Sequence, residues 1–448
     1  MLPIAPSKVN IADFTGRMSE HTMAEQGRRI RIGMVLDQGF PPDARVEREA
    51  TALVQNGYEV HILCMQQAPE QLIEVAYRGI YIHRVTPGKV KWQLPFFRLE
   101  TRLPYLGVVR NSIWQWKTID TLWYTLIDSF VKNYGIDILH IHDLRLLNTG
   151  LAVGKRWHLP VVSDLHENYP ALMQMMKGRH DIERGYRQRE LWDDVESDGV
   201  LRAAQTLVVT EEAKIRLIAK GLPPEKIQVI ANTVDVDKFL NAPIDAEITR
   251  RFKPEFVLCY VGHLNDVHRG IQTVLEALAL LKGEIPALRF IGAGALRPAY
   301  KKQLDELIEE HGLHDMVTFT DRLDEEQFAT YIEASDVCLC PHLANDQTQA
   351  TFPNKVYLYH LFKKPIIVSS AKPLQRYIKN TQGGLVFDSG NAAQLADKIR
   401  MMYHQPELRR EMGKHGHLAV VTKHNWPTTA RELISVYDNL VEETTAPV

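Results

Sequence analysis

The sequence predicts an α/β protein with two doubly wound, Rossmann-like domains that face a central cleft. Three observations lead to this prediction. The 448 residues exceed what one hydrophobic core usually supports. Short β-branched runs alternate with amphipathic segments of helical length, as in sheets whose strands are joined by crossover helices. This alternation occurs twice, on either side of a polar, proline-bearing segment at residues 238–256.

These patterns divide the chain into four parts. Residues 28–245 are predicted to form the first domain, and residues 253–420 the second. Residues 421–448 are predicted to form a helix that returns to the first domain. Residues 1–27 lack the basic segment followed by an apolar segment that marks a secretion signal, so we expect a disordered leader.

The first half opens with a strand, a helix and a second strand. Val46, Ala50, Leu53 and Val54 fall on one helical face, and Gly57 ends the helix. Several of the strands are apolar on both faces, as in a parallel sheet covered by helices. The strands are predicted at residues 30–36, 58–64, 79–85, 137–142, 160–165 and 206–210.

The second half repeats the pattern. Between its first two strands, a helix at residues 270–284 has a buried stripe of Ile271, Val274, Leu275, Leu278 and Leu281. In such sheets, ligands bind at the carboxyl ends of the strands. The strands are predicted at residues 256–262, 287–294, 316–321, 336–341, 365–370 and 383–388.

The composition excludes nucleic acid as a partner. The net charge is −2 with 24% charged residues, which provides no overall positive field. The cysteines lie in apolar segments without metal-type CxxC pairs, so we expect a reduced, cytoplasmic protein. No stretch of the sequence has the uninterrupted apolar length needed to cross a bilayer. The four cysteines are Cys64, Cys259, Cys338 and Cys340.

A short segment in the second half has the features of an anion site. Pro353 fits a first helical turn, where it needs no N–H group and presets the helical backbone. The amides of Asn354 and Lys355 then lie at the positive end of the helix dipole, where a diphosphate would fit. The Lys355 side chain adds a charge that suits phosphate. The alternative interpretation is a helix start without a ligand.

Seven segments occur in the order seen in the retaining GT-B glycosyltransferases called group 1, or family four. The chain resembles this family over residues 28–440. The resemblance implies transfer of a sugar from a nucleotide-diphosphate sugar with retention of configuration, without a metal and without a cofactor besides the donor itself. The segments are residues 40–64, 137–151, 160–172, 229–239, 260–278, 290–297 and 352–367.

The resemblance also assigns donor-binding residues. The family commonly holds the diphosphate with an Arg at the position of His263 and a Lys at that of Arg269, so Arg269 keeps its charge while His263 is a departure. The turns at Gly262 and Gly294 follow strands and bring the backbone close to a donor, although a structural turn at Gly294 is an equal alternative. Gly39 lies in the loop that the family uses near the donor phosphates and the acceptor.

Other matches fall on the acceptor side. His142 is nearest the carboxyl end of its strand, and related enzymes keep a histidine there beside the transferred sugar. His142 and Glu167 are therefore the predicted catalytic residues. His166, beside Glu167, and Arg45, in the "PPDAR" segment, are predicted to act on the acceptor side; loop packing is the alternative for the pair 166–167.

One departure from the family concerns the ribose of the donor. Many members carry two glutamates eight positions apart, and the second resembles a ribose-hydroxyl acceptor. This sequence has Ala350 and Leu358 at the matching positions, and neither side chain can accept a hydrogen bond. Three interpretations follow: an active transferase with a changed ribose contact, a transferase with an unusual donor, or a catalytically silent scaffold that stabilises or recruits an active transferase.

An insertion at residues 90–125 bears on the acceptor. It contains four of the seven tryptophans, interleaved with basic residues. Such a mixture suits the headgroup layer of a membrane or a lipid-linked sugar, whereas a helical insertion packed on the first domain is equally consistent. The expected acceptor is a glycan or a lipid-linked intermediate, with peripheral contact to the inner face of the membrane as a hypothesis.

Overall fold

The computed structural model describes residues 28–68, 74–85, 119–176, 182–320 and 322–445. The predicted leader and most of the aromatic and basic insertion lie outside the described residues. Among the described helices, we find none whose length and apolar character would suffice to cross a bilayer.

The first sheet has eight strands in the order β3-β4-β2-β1-β5-β6-β7-β8. The recorded strand pairs are parallel, except that β3 runs antiparallel to β4. The strands are β1 (Arg31–Gly39), β2 (Glu59–Met65), β3 (Glu74–Tyr77), β4 (Ile80–Val85), β5 (Ile138–His142), β6 (Val161–Leu165), β7 (Gln205–Val208) and β8 (Ile227–Val229).

The helices of this half begin and end at identifiable capping residues. Asp43 accepts hydrogen bonds from the amides of Arg45 and Val46 and so begins α1, whereas Gly135 ends α2 in the left-handed conformation. The helices are α1 (Ala44–Gln55), α2 (Thr121–Tyr134), α3 (Leu147–Trp157), α4 (Tyr169–Met176), α5 (Ile182–Arg202) and α6 (Glu211–Ala219).

The second sheet has six strands in the order β11-β10-β9-β12-β13-β14, and its recorded pairs are all parallel. This order confirms a doubly wound arrangement, because the chain moves outward from β9 in both directions. The strands are β9 (Phe256–Val261), β10 (Leu288–Ala293), β11 (Val317–Phe319), β12 (Val337–Cys340), β13 (Ile366–Ser369) and β14 (Gly384–Phe387).

The predicted core helix of the second half is confirmed. The five apolar residues of its predicted stripe, Ile271 among them, are completely inaccessible to solvent and pack in one apolar cluster with side chains of β9 and β10. The helices are α7 (Val236–Leu240), α8 (Ala246–Phe252), α9 (Ile271–Leu281), α10 (Pro298–His311), α11 (Phe328–Glu333), α12 (Lys355–Leu361), α13 (Lys372–Thr381), α14 (Ala392–His404), α15 (Pro406–Thr422) and α16 (Trp426–Thr445).

The contacts within the chain divide it into two compact units. One contains the described residues up to Asp164, Arg202–Thr206 and the end of the chain from Leu433. The other contains Leu165–Leu201 and Leu207–Glu432. The domain boundaries derived above from the sequence stay predictions.

Candidate active site

Two glycine turns lie side by side at the carboxyl end of the second sheet. Gly262 follows β9 with φ of 104°, and Gly294 follows β10 with φ of 141°. A Cβ atom at Gly294 would lie 2.3 Å from the carbonyl oxygen of Gly262, so only glycine permits this packing of backbone on backbone. The two predicted donor-binding turns therefore form one continuous backbone surface.

Lys355 lies over the first of these turns. Its Nζ is 3.5 Å from the centroid of the Tyr260 ring and 3.1 Å from the position that a Cβ of Gly262 would occupy. The ammonium thus rests on an aromatic face rather than against a carboxylate, and Lys355 has no ion-pair partner among the residues that the structure describes. Burial, and then the charge of Arg269, hold the pKa of Lys355 well below its usual range.

Arg269 is the second cation of this site. It ends the short 3₁₀ turn before α9, and its Nε is buried without a hydrogen-bond partner in the described part of the chain. A buried guanidinium nitrogen without an acceptor is costly, and an anionic ligand would satisfy it. Gly270 fixes the start of α9, because a Cβ there would lie 1.9 Å from the Pro341 carbonyl oxygen.

Asn354 lies where the sequence places it, at the start of α12. It has a helical backbone, and its carbonyl oxygen accepts hydrogen bonds from the amides of Tyr357 and Leu358. The helical turn already begins at Pro353, whose carbonyl accepts from the Val356 amide. The predicted proline-initiated helix start is therefore present, and Lys355 projects from its first turn.

Histidines complete this cationic region. His263 is exposed, and partial burial, Arg269 and Lys355 lower its pKa, so it is neutral at neutral pH. His342, two residues beyond β12, is buried, and its Nε2 lies 3.4 Å from the Tyr260 hydroxyl. Tyr260 and His342 were not predicted from the sequence, although both lie at carboxyl ends of strands, where polar or aromatic side chains signal a site.

The two positions that depart from the family are buried. Leu358 is 4% exposed and Ala350 is 3% exposed. Leu358 packs in an apolar cluster with residues of β9, β12 and β13. The carbonyl oxygen of Ala350 accepts a hydrogen bond from the Thr210 hydroxyl at 2.8 Å. At both positions an apolar side chain replaces a hydrogen-bond acceptor.

His166 and Glu167 follow β6 directly, as predicted. Glu167 is exposed and accepts a hydrogen bond from the Gln347 side chain at 3.2 Å. The neighbouring Asn168 donates to the carbonyl oxygen of Asp346 at 2.9 Å. This loop therefore contacts the segment that leads into α12, the helix of Lys355.

His142 belongs to a buried polar cluster at the carboxyl end of β5. Its Nδ1 lies 3.2 Å from Oδ2 of Asp164, its parallel partner on β6. Arg45, from the first turn of α1, donates from Nε and Nη2 to the two oxygens of Asp164 at 3.0 and 2.7 Å. Its Nη2 also lies 2.9 Å from Glu49. The predicted acceptor-side residue Arg45 is thus 4% exposed and engaged with carboxylates of the fold.

The same cluster has the composition of a metal site. One ligand atom each from Glu49, His140, His142 and Asp164 would lie within 4.8 Å of one another. The Arg45 guanidinium, however, already contacts both carboxylates and supplies the positive charge that a metal would bring. These residues therefore fit a buried ion-pair network better than a metal centre.

Gly39 ends β1, and a Cβ there would lie 2.1 Å from the Gln67 side chain. The Gln67 side chain therefore lies where a side chain at position 39 would begin. Its role in binding the donor stays a prediction.

Two family models together match most of the chain. The model for glycosyl transferases group 1 matches residues 242–418, and the model for glycosyltransferase family 4 matches residues 44–238. A D-inositol 3-phosphate glycosyltransferase from Arthrobacter sp. (strain FB24) is 24% identical over 88% of this chain and 89% of its own.

Solved structures show the same fold. Sucrose-phosphate synthase from Thermosynechococcus elongatus is similar with a TM-score of 0.72 and 20% identity, over 93% of this chain and all of its own. Anabaena HepE in complex with UDP and glucose has a TM-score of 0.67 and 15% identity, over 92% of this chain and all of its own.

Proposed function

The chain belongs to the group 1 glycosyltransferases and has the GT-B fold, and from this premise we propose its reaction. The protein transfers a hexose-type sugar from a nucleotide-diphosphate sugar to a glycan or lipid-linked acceptor. Configuration at the anomeric carbon is retained, and no metal takes part. The reaction takes place in the cytoplasm.

The observation that carries this proposal is the unneutralised positive charge at the carboxyl end of the second sheet. Lys355 and Arg269 lack acidic partners among the described residues, and Lys355 lies over the Gly262 turn. A diphosphate supplies the missing negative charge and can approach the Gly262 backbone closely. The complex of HepE with UDP makes UDP the first nucleotide to test.

The proposed chemistry follows from where negative charge develops as the sugar is transferred. The diphosphate leaves with an additional negative charge, and Lys355 and Arg269 stabilise this charge as it develops. A leaving diphosphate oxygen takes the proton of the acceptor hydroxyl on the same face of the sugar, which gives retention without a protein nucleophile. Two fixed cations provide the charge compensation for which other transferases need a divalent ion.

The acceptor is the less constrained half of the proposal. His166 and Glu167 follow β6, and Glu167 is exposed, so it can contact a hydroxyl-bearing acceptor. The aromatic and basic insertion, most of which lies outside the described residues, supports contact with the inner face of the membrane through its composition alone.

A silent scaffold is the second candidate function. Leu358 and Ala350 stand where many family members carry two glutamates, the second of which resembles a ribose acceptor, and His263 replaces a permanent cation with a neutral imidazole. An unpaired ribose hydroxyl costs about 1–3 kcal/mol, which would weaken donor binding about 5- to 150-fold. On this alternative, the protein would bind an active transferase without binding a donor itself.

Calorimetric titration with UDP, GDP, ADP and TDP separates the two candidates. Micromolar binding of one nucleotide is expected, with at least a tenfold loss in Lys355→Ala and Arg269→Ala. Lys302→Ala is the matched control, because it removes an exposed lysine of α10 that lies outside the site. Circular dichroism verifies that each variant is folded. Absence of binding to every nucleotide by folded wild-type protein would refute the transferase and favour the scaffold.

A further inference from the structure

We propose that Asp164 and Arg45 are positioning residues that fix the ring orientation and the tautomer of His142, the residue predicted above to be catalytic. The inference rests on the proposed transferase function. It assigns to Arg45 a role that acts through Asp164 rather than through contact with the acceptor.

The sheet itself places the two central residues together. His142 and Asp164 are parallel partners on the adjacent strands β5 and β6. Both side chains are buried, and His142 Nδ1 lies 3.2 Å from Asp164 Oδ2. The imidazole and the carboxylate are therefore held in register by backbone hydrogen bonding, which leaves them little freedom to separate.

Arg45 fixes the carboxylate in turn. Its fork-like donation to both oxygens of Asp164 determines the plane of that carboxylate, as bidentate guanidinium pairs do. Glu49, one helical turn after Arg45, lies 2.9 Å from the same guanidinium and holds it from a second side. Because all three side chains are buried, the arrangement cannot relax into water.

The tautomer follows from hydrogen-bond chemistry. A carboxylate that is paired with arginine only accepts, so the proton of a neutral His142 ring must lie on Nδ1. Nε2 then carries the lone pair and acts as an acceptor. His140 stacks on His142 with ring centroids 4.2 Å apart and planes inclined by 24°, which opposes rotation of the ring.

His140 is held by a different partner. Its Nδ1 contacts the hydroxyl of Tyr437 in α16, whereas its Nε2 lies 3.6 Å from Asp164 and 3.8 Å from Glu49. Both imidazoles thus approach Oδ2 of Asp164, but only His142 does so within hydrogen-bonding distance, and His140 has Tyr437 as a partner of its own. Asp164→Asn therefore perturbs His142 more directly than His140.

Nitrogen-15 spectra of histidine-labelled protein test the inference directly, with His142→Gln used to assign the signals. The wild-type protein is expected to show His142 with its proton on Nδ1, and Asp164→Asn is expected to give a mixture of tautomers. Tyr58→Phe is the matched control, because it also removes one partly buried hydrogen bond of this unit, to Asp438, without removing a contact of His142. A wild-type spectrum with the proton on Nε2 would overturn the inference, even if no variant folds.

Kinetics provide the second readout. Slow hydrolysis of the nucleotide sugar by water measures kcat without knowledge of the acceptor. Asp164→Asn and Arg45→Lys are expected to lower kcat 10- to 100-fold and to leave the dissociation constant of the nucleotide within twofold. Unchanged kcat in folded variants would contradict the inference. Failure of the wild-type protein to bind any nucleotide would instead contradict the proposed function. The nitrogen-15 spectra do not depend on nucleotide binding.

Discussion

Binding of the donor diphosphate is expected to be linked to the protonation of Lys355. In the free protein, burial and Arg269 depress the pKa of Lys355, whereas a bound diphosphate raises it by bringing negative charge beside the ammonium. At a pH between these two pKa values, binding takes up a proton. Affinity should therefore fall as the pH rises from the pKa of Lys355 in the free protein to its pKa in the complex.

The size of the effect follows from one contact. A hydrogen bond between an ammonium and a phosphate oxygen contributes about 1.5–3 kcal/mol, and the Tyr260 ring cannot replace it. Lys355→Met should therefore raise the dissociation constant of the nucleotide about 10- to 150-fold. Lys355→Arg should retain part of the affinity and lose the pH dependence, because a guanidinium stays charged throughout the range.

Calorimetry at several pH values, in two buffers of different ionisation enthalpy, measures both the affinity and the number of protons taken up. His263 and His342 also have lowered pKa values in the free protein, and a bound diphosphate raises these pKa values too, so the part of the proton uptake that is lost in Lys355→Met reports on Lys355. If Lys355→Met bound the nucleotide as tightly as the wild type and took up the same protons, the assignment of the diphosphate to this lysine would be wrong.

Three further substitutions test the surroundings of this lysine. Tyr260→Phe should bind the nucleotide like the wild type, whereas Tyr260→Leu should weaken binding about 2- to 30-fold in the same titration, because the cation–π contact contributes about 0.5–2 kcal/mol. Gly294→Ala places a methyl group against the Gly262 carbonyl and should lower both the melting temperature and the affinity; an unchanged affinity would separate this turn from the donor site. Leu358→Glu buries a carboxylate among apolar side chains and should therefore destabilise the protein by about 3–5 kcal/mol, as measured by urea unfolding. If Leu358→Glu instead bound the nucleotide more tightly without losing folding stability, position 358 would face an open ribose site.

Most of the fold could be predicted from the sequence because its strands are buried on both faces. Apolar runs such as residues 256–262 leave few alternatives to a strand of a covered parallel sheet. β3 and β8 could not be predicted from the sequence, for a physical reason. β3 is a four-residue edge strand that is half exposed, and β8 has only three residues, so neither has enough buried positions to produce a periodic signal.

The parts of the site that depend on residue spacing along one strand could be predicted from the sequence. Period-two spacing placed His140 and His142 on one side of a strand, and their rings do stack. The partners of His142 could not be found this way. Asp164 lies on another strand and Arg45 on a helix 119 residues before it, so their convergence depends on sheet order and helix packing. Tyr260 was overlooked because an aromatic residue within a strand is normally a core residue.

Lys355, which we propose binds the diphosphate, also bears on whether the protein is a transferase or a scaffold. Because the pKa of Lys355 is lowered in the folded state, the folded protein binds fewer protons than the unfolded chain at a pH between the folded and the unfolded pKa, and stability is lost as the pH falls through this window. Lys355→Met should therefore raise the free energy of unfolding of the nucleotide-free protein in urea while it weakens nucleotide binding. A scaffold has no use for this destabilising charge, whereas a transferase needs it for every turnover. If Lys355→Met proved less stable than the wild type, Lys355 would be a structural residue, and the strongest physical argument for a working donor site would be lost.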